Sequence, residues 1–521
     1  MYVLRTKNIV RRATPCPMRQ GVEAVVMSLI ALALVVTWQV EWFIVPTGSM
    51  ADALVGLHRD MTCSKCGDAF ACGADEAAMP GKRAVCPNCG SAAQELESVP
   101  PAEGDRILVH RAAFLVRRPR RWEPAAFRDP SRASEVFVKR IAGLPGETIE
   151  IRAGDVFADD VIQRKTLTGF RSLAILVHDA AFKPPPNDGL PDRWLGEQGD
   201  TRWEAVGGMY RCHAVSEPND ERGARSAERG TDSDVSTSSA LRAPRSALIT
   251  DWLTYRHWRQ RPGRPRETEE VPIDDGYGYN QTRPVIESYP VRDLLLVCRL
   301  RAWGVGRLAL FATDGSSQFL LELDPTTRRG ELFHDSQLVS AVDDLPRLDA
   351  GPTKLELALV DRQVLLALGD RLVFTYPYTT SGRSFEPTSR PIKIGSRELG
   401  IELSDVKLYR DVYYTPPRRL RARATRQSPS PTTTGNRPTE TLAAEADLAL
   451  PREQYRLGGD EYFVLGDNSP LSLDSRDWTT GPGVPAELLL GKPFLVHFPS
   501  RSSGAIWRFQ VPDLTKVRYI R

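Results

Sequence analysis

The chain opens with an abrupt change of polarity. Residues 1–20 carry Arg5, Lys7, Arg11, Arg12 and Arg19 and no acid, whereas Gly21 to Val40 are mostly Val, Ala, Leu, Ile and Met, interrupted by Glu23, Ser28, Thr37 and Gln39. Twenty helical residues extend about 30 Å, the thickness of a bilayer's hydrocarbon core. The pattern predicts a transmembrane anchor over 21–41, with Trp38, Trp42 and Phe43 at the level of an interfacial aromatic belt. Positive charge ahead of the span predicts a cytoplasmic basic tail over 1–20 and an extracytoplasmic remainder. A cleaved secretion signal would need small residues in an A-x-A-like site after the apolar core. The run passes instead into Thr37-Trp38-Gln39-Val40-Glu41-Trp42-Phe43, so the anchor is expected to stay.

Past the anchor the apolar period shortens to that of strands. Gly104 to His110, the segment around Phe137 to Ile141, and Glu147 to Ile151 read as strands, the last alternating as a half-buried strand should. From 166 to 414 short strand patterns recur between turn signals, as at Leu294 to Leu300, Arg307 to Ala312, Gln318 to Leu323, Lys354 to Val360, Gln363 to Leu368 and Leu372 to Tyr376. Asp314-Gly315-Ser316 is placed to close a hairpin, and many strands at this spacing without helices predict a β-sandwich. Residues 216–247, rich in Ser, Arg, Asp, Glu and Gly, are expected to be disordered, and 415–448 to form a linker. The fold class is therefore mainly β, in more than one domain for a chain of 521 residues.

Charge and cysteines alter this outline in two places. The 69 basic and 66 acidic residues nearly cancel, which argues against a nucleic-acid partner. Of eight cysteines, Cys63, Cys66, Cys86 and Cys89 form Cys-Ser-Lys-Cys-Gly and Cys-Pro-Asn-Cys-Gly, with nineteen residues between the pairs. Each pair matches a zinc knuckle, so a small four-cysteine ribbon over 63–92 with structural zinc is expected; two disulfides are the competing account outside the cytoplasm. With four thiolates no coordination position stays open, so the role is structural. Cys72 reads as a spare thiol, and Cys16, Cys212 and Cys298 show no partner.

Three fragments carry chemistry. Pro46-Thr47-Gly48-Ser49-Met50 follows the anchor, Phe137-Val138-Lys139-Arg140-Ile141-Ala142-Gly143-Leu144-Pro145-Gly146 lies in a strand, and Gly466-Asp467-Asn468-Ser469-Pro470-Leu471-Ser472-Leu473-Asp474-Ser475-Arg476 comes near the end. In this order they resemble the bacterial type I signal peptidases, membrane serine proteases with a Ser-Lys dyad. The resemblance implies catalytic parts at 42–62, 100–165 and 449–521, with the ribbon and the sandwich (166–414) as insertions into an antiparallel β domain.

It implies Ser49 as nucleophile and Lys139 as general base, with no catalytic cofactor. Thr47, where the family commonly has serine, and the Ser49 N–H would form the oxyanion hole. Ser472 would orient Lys139, Asp474 and Arg476 would brace the turn, and Gly466 would permit close approach. Asp467 and Asn468 are expected to bond to backbone, and Arg140 to point away from Lys139 and form ion pairs. Leu471 stands where the family usually has Asn. Phe43, Val45 and Val138 would line shallow pockets for small side chains of an extended signal peptide added as a strand.

An ordinary lysine titrates near 10.4 and is useless as a base at neutral pH, so Lys139 needs burial, which its apolar neighbours offer. The implied activity is removal of signal peptides from exported preproteins at the inner membrane. The closing strands of the sandwich, Pro391 to Asp411, resemble concanavalin-like jelly rolls, a loose likeness that leaves carbohydrate, protein or no ligand open. Two other readings fit less well. An inert frame carrying a binding sandwich conflicts with the intact Ser49, Lys139 and Ser472, and a self-cleaving repressor conflicts with the anchor and the missing DNA-binding helix pair.

Overall fold

The structure, a computed structural model, describes residues 17–74, 81–197, 199–214, 250–261, 264–282, 288–380, 384–421, 453–498 and 517–520. The expected disordered stretch 216–247, most of the expected linker (422–448) and the start of the basic tail lie outside the described residues.

A helix, Pro17–Gln39, occupies the apolar run, and the chain enters a strand, Val40–Ile44, directly after it. The described side chains from Gly21 to Ala33 are all exposed, Val22, Val25, Met27 and Leu29 to 60 % or more. Among the described residues no helix is long and apolar enough to cross a membrane, and the expected span over 21–41 loses its end because Val40 and Glu41 pair with His110 and Val109 in a sheet.

The peptidase-like part is an eight-stranded antiparallel sheet. Its order runs Val40–Ile44, Arg106–His110, Leu489–Phe498, Pro124–Arg128, Val136–Gly143, Glu461–Leu465 and Gly483–Pro485, with Arg518–Tyr519 beside Leu489–Phe498. Strands distant in sequence thus alternate in space. Val136–Gly143 pairs with Pro124–Arg128 along Val136–Arg140 on one edge and with Glu461–Leu465 along Arg140–Gly143 on the other. A second sheet places Val161–Ile162, Asp155–Ala158, Thr148–Arg152 and Gln454–Arg456 side by side.

The sandwich is present as an eight-stranded and a seven-stranded antiparallel sheet enclosing one apolar core, to which Leu296, Leu310, Leu321, Leu357, Leu366 and Ile394 contribute. The predicted strands appear as Leu294–Trp303, Arg307–Thr313, Gln318–Asp324, Thr353–Val360, Gln363–Leu368 and Arg371–Pro377. Thr313 and Gln318 close the hairpin around Asp314-Gly315-Ser316. Gln363–Leu368 is buried at every position because Val364, Leu366 and Leu368 face the sandwich core while Leu365 and Ala367 face a second cluster with Leu167 and Phe170.

The sandwich is not a loosely tethered appendage. Ala142, Phe463 and Leu465 of the peptidase-like sheet share one buried cluster with Leu173, Ile175, Tyr277, Val412 and Tyr414. Tyr414 stacks on Trp122 with ring centroids 6.3 Å apart, and its hydroxyl is buried without a hydrogen-bond partner. Residues 415–421, at the head of the expected linker, are packed: the Thr415 N–H donates to Ser469 Oγ at 2.8 Å.

We predict that Tyr414→Ala lowers unfolding stability by about 3–5 kcal/mol, the usual cost of deleting a buried ring. Tyr414→Phe should be neutral or slightly stabilising because the lost hydroxyl has no partner. Urea denaturation of the two variants checks both.

Candidate active site

Ser49 sits in a 3-10 turn, Gly48–Met50, five residues past the end of the edge strand Val40–Ile44. The turn is held by residues far away in sequence. Asn468 donates its side-chain amide to Gly48 O at 2.9 Å and its backbone N–H to Ser49 O at 3.1 Å. Thr47 donates its hydroxyl to Ser49 Oγ at 3.4 Å, on the exposed side of the turn.

Lys139 lies in Val136–Gly143 and is 2 % exposed. Its amine donates to Ser472 Oγ at 3.0 Å. Burial pushes the ammonium down to about 8 from the ordinary lysine value; nearby Asp474 opposes the shift and Arg476 adds to it. The effect of Asp474 is blunted because Arg476 holds both its oxygens, Nε to Oδ1 and Nη2 to Oδ2 at 2.8 Å each. Burial alone would raise the Asp474 carboxyl, yet the Arg476 guanidinium keeps it lowered. Asp474 also accepts the Gly466 N–H at 3.0 Å, and Arg476 reaches on to Thr415 O and Ser469 Oγ, each at 2.7 Å.

Gly466 brings the pieces together. A Cβ there would stand 2.2 Å from Ser472 Oγ and 2.5 Å from Ser49 O, so only glycine admits both. The Ser49 turn, Gly466, Ser472 and the Lys139 amine are therefore consecutive contacts. Ser49 and Lys139 share no hydrogen bond with each other; the serine hydroxyl is bonded to Thr47 and the amine to Ser472. Phe43, Val45 and Val138 also meet, packing around Met50, Leu54 and Ala126. Phe43 and Val138 are half-buried, whereas Val45 is 7 % exposed and belongs to the core more than to a pocket wall.

One expectation needs correction. Asp467 bonds to a side chain, accepting from Arg140 Nε at 2.9 Å and Nη2 at 2.6 Å. That bidentate pair, with Arg140 Nη1 donating to Trp122 O at 2.7 Å, places Arg140 as ion-paired support. Asn468 bonds to backbone as expected but also exchanges two amide hydrogen bonds with Asn280, at 2.8 and 2.7 Å.

Asn280 belongs to a segment that sequence reasoning passed over. Tyr277 donates its hydroxyl to Asp467 O at 2.5 Å, and Tyr279 donates to Leu57 O at 2.7 Å. The Tyr279 ring lies so close to Gly48 and Gly73 that a Cβ would meet it at 1.9 and 2.6 Å. The Gln281 amide donates to Val85 O and accepts from Val85 N. One short piece of the insertion thus touches the Ser49 turn, the Gly466 loop and the ribbon. Its only local signal was two tyrosines and two amides around a glycine.

The ribbon consists of two hairpins, His58–Thr62 with Ala69–Gly73 and Arg83–Val85 with Ala92–Glu95. In each knuckle the glycine after the second cysteine takes a left-handed conformation, Gly67 at φ +79° and Gly90 at φ +71°. Their N–H groups bond back to Cys63 O and Cys86 O, turning both thiols the same way. Cys63 and Cys89 Sγ stand 3.6 Å apart, as do Cys66 and Cys86 Sγ. Sulfurs at 2.3 Å around tetrahedral zinc lie about 3.8 Å apart, whereas a disulfide needs about 2.05 Å. The donor set fits zinc. Cys72 lies outside it, buried, its thiol pushed up to about 12 by burial and donating to Gly278 O at 3.4 Å. Cys212 and Cys298 are likewise buried thiols raised to about 11 and about 12.

The family described as signal peptidase, peptidase S26, matches residues 90–172. That stretch holds Lys139 and supports a relation to peptidases of this family; Ser49 and Ser472 fall outside it. No curated protein matches the sequence. Among solved structures, the carbohydrate-binding module CBM66 from Bacillus subtilis is 13 % identical, with 30 % of this chain and 94 % of that one covered and a TM-score of 0.19. The carbohydrate recognition domain of Emp46p in its potassium-bound form is 12 % identical, with coverages of 42 % and 88 % and a TM-score of 0.22. A Bacillus subtilis protein of unknown function with a galectin-like fold is 13 % identical, with coverages of 31 % and 82 % and a TM-score of 0.19. Likenesses this low carry no argument about ligand.

We predict about one zinc per purified chain by elemental analysis, and its loss in Cys63→Ser or Cys86→Ser, each of which removes one of four thiolate ligands.

Proposed function

We propose that this chain is a membrane-anchored serine endopeptidase that removes N-terminal signal peptides from exported preproteins. The observation that carries the reading is the Lys139 amine, buried, lowered to about 8 and held by Ser472 one glycine away from the Ser49 turn. The S26 match over the Lys139 strand supports it. The exposed apolar helix Pro17–Gln39, directly ahead of the catalytic sheet, supports attachment to a bilayer with the basic N-terminus cytoplasmic.

In this reading the neutral Lys139 Nζ accepts the Ser49 Oγ proton as that oxygen attacks the scissile carbonyl carbon. Catalytic hydrogen bonds are often long before substrate arrives, and turning the Ser49 hydroxyl from Thr47 to Lys139 frees the Thr47 hydroxyl. That hydroxyl and the Ser49 N–H then donate to the developing oxyanion. Collapse expels the new N-terminal amine, which takes the proton from Lys139. Water, deprotonated by Lys139, hydrolyses the Ser49 ester and releases the signal peptide's carboxylate. Substrate would lie extended: among the described residues the outer edge of Val40–Ile44 is unpaired in its sheet, and the first half of Val136–Gly143 has a partner strand on one side only. Both edges can take main-chain hydrogen bonds, with Phe43 and Val138 beside them favouring small side chains.

Ser49→Ala and Lys139→Met should each reduce cleavage of a model preprotein by at least about 10³-fold. Lys139→Met should be as stable as the parent or more so. Lowering a lysine from 10.5 to about 8 on folding costs on the order of 3 kcal/mol below pH 8, a penalty fading between pH 8 and 10.5. Turnover retained in both variants would defeat the assignment.

The pH profile follows from the same amine. Because the base works deprotonated, kcat/KM should rise about tenfold per unit below pH 8 and level off above it. Initial rates from pH 6 to 10 on a peptide substrate read this directly; a flat profile across pH 8 would rule out Lys139 as the base.

A further inference from the structure

The insertion reaches the candidate nucleophile through one side chain, Asn280, in the 3-10 turn Gly278–Thr282. Both peptide groups that flank Ser49 rest on Asn468. Gly48 O accepts from the Asn468 side-chain amide at 2.9 Å, and Ser49 O accepts from the Asn468 backbone N–H at 3.1 Å. Gly48 O also accepts the Ala51 N–H at 3.1 Å, a bond within the turn. On its other side Asn468 O accepts the Ser472 N–H at 2.9 Å, so the same residue carries the serine that holds Lys139.

A peptide unit is planar, and in its trans form, the form of Gly48–Ser49, the N–H points opposite to the C=O. Holding Gly48 O therefore fixes where the Ser49 N–H points, away from Asn468. The Asn468 amide can do this only with its nitrogen toward Gly48, because a carbonyl oxygen only accepts. Asn280 secures that orientation. Its Oδ1 accepts from Asn468 Nδ2 at 2.7 Å, and its Nδ2 donates to Asn468 Oδ1 at 2.8 Å. Turning the Asn468 amide over would set like groups against each other at both contacts. Asn468 is fully buried, where an amide left unmatched is costly.

Asn280 is itself held from both sides. Its N–H donates to Tyr277 O at 3.0 Å, Tyr277 donates its hydroxyl to Asp467 O beside Asn468, and Tyr279 donates to Leu57 O. Both tyrosines are buried, and the Tyr279 ring stands against Gly48.

We propose that Asn280 is a positioning residue for the nucleophile turn: it orients the Asn468 amide, which fixes the peptide plane whose N–H stabilises the oxyanion. The proposal rests on the reading of Ser49 as nucleophile. The Ser49 N–H meets negative charge only as the oxyanion develops, so its misalignment slows turnover with little effect on substrate binding.

The test compares cleavage of a model preprotein by the full chain and by Asn280→Ala, Asn280→Asp and Asn468→Ala. Asn280→Asp keeps the size and the acceptor but loses the donor to Asn468 Oδ1. Both Asn280 variants should lose at least about tenfold in kcat, with KM within about twofold of the parent. In Asn280→Ala the pH profile should keep the parent's midpoint, because the Lys139–Ser472 bond is untouched. The double variant Asn280→Ala with Asn468→Ala should be no slower than Asn468→Ala, since the first residue acts through the second. Hydrogen exchange checks the turn without catalysis: the Ala51 amide, bonded to Gly48 O, should exchange faster in Asn280→Ala while the strand Gln363–Leu368 keeps its protection. A tie that only fastens the insertion would lower Tm and leave kcat of the folded chain at the parental value. Parental kcat in both Asn280 variants, a loss carried by KM, or additive losses in the double variant overturns the proposal and leaves the endopeptidase reading standing. A folded parent chain that fails to cleave overturns that reading, and the oxyanion role with it.

Discussion

A lysine amine deep in a β-domain is the constraint around which the candidate site is arranged. To serve as the proposed base, Lys139 must be dry enough to lose its proton near neutral pH, and its last hydrogen-bond partner must be uncharged. Ser472 meets the second demand at 3.0 Å. A carboxylate in its place would hold the ammonium in the charged form and end its use as a base. The acids that act most on the amine, Asp474 and Asp467, are each occupied in bidentate pairs with Arg476 and Arg140. The two arginines thus blunt the pull of nearby acids on the proposed base.

Those pairs also explain why the insertion cannot be read as a passenger. Arg476 completes its hydrogen bonds on Thr415, and Asp467 accepts from Tyr277 through its backbone. Asn468, which carries the Ser49 turn, has its amide matched by Asn280. Three residues of the last motif loop thus depend on partners supplied by nearly three hundred residues absent from the simpler arrangement that the motifs suggest. Buried polar groups must be satisfied by whatever surrounds them, and here the surroundings are the insertion.

Much of this was legible in the sequence because it rests on local pattern. Alternation marks the sandwich strands within a few residues, and Asp314-Gly315-Ser316 marks its hairpin. The knuckle spacing, with Gly67 and Gly90, identifies the ribbon thiols. Lys139 and Ser472 are readable through motif resemblance rather than through physics, since nothing in their local spacing brings them together across 333 residues. The end of the anchor was not legible, because an apolar run does not say where helix yields to strand; Val40 and Glu41 are claimed by pairing with the strand Arg106–His110. Asp467 reads as a backbone partner because Gly-Asp-Asn reads as a turn, and only the tertiary fold brings the guanidinium of Arg140 to it.

The segment Tyr277 to Gln281 shows what such reading leaves out. It has no periodicity, and its meaning lies in simultaneous contacts with Gly48, Leu57, Val85 and Asn468. The Tyr279 ring fills the space that a side chain at Gly48 or Gly73 would need, so the nucleophile turn and the ribbon hairpin are shaped to the same ring. A rigid contact of this kind transmits displacement, because close-packed groups cannot move independently. The ribbon holds the other side of the segment through Val85, one residue before Cys86. A metal held by the four thiols would fix Cys86 and with it Val85, which bonds to Gln281, two residues after the tyrosine packed against the Ser49 turn. By this chain of contacts the four-cysteine ribbon and the Ser49 turn are packed against one short segment of the insertion.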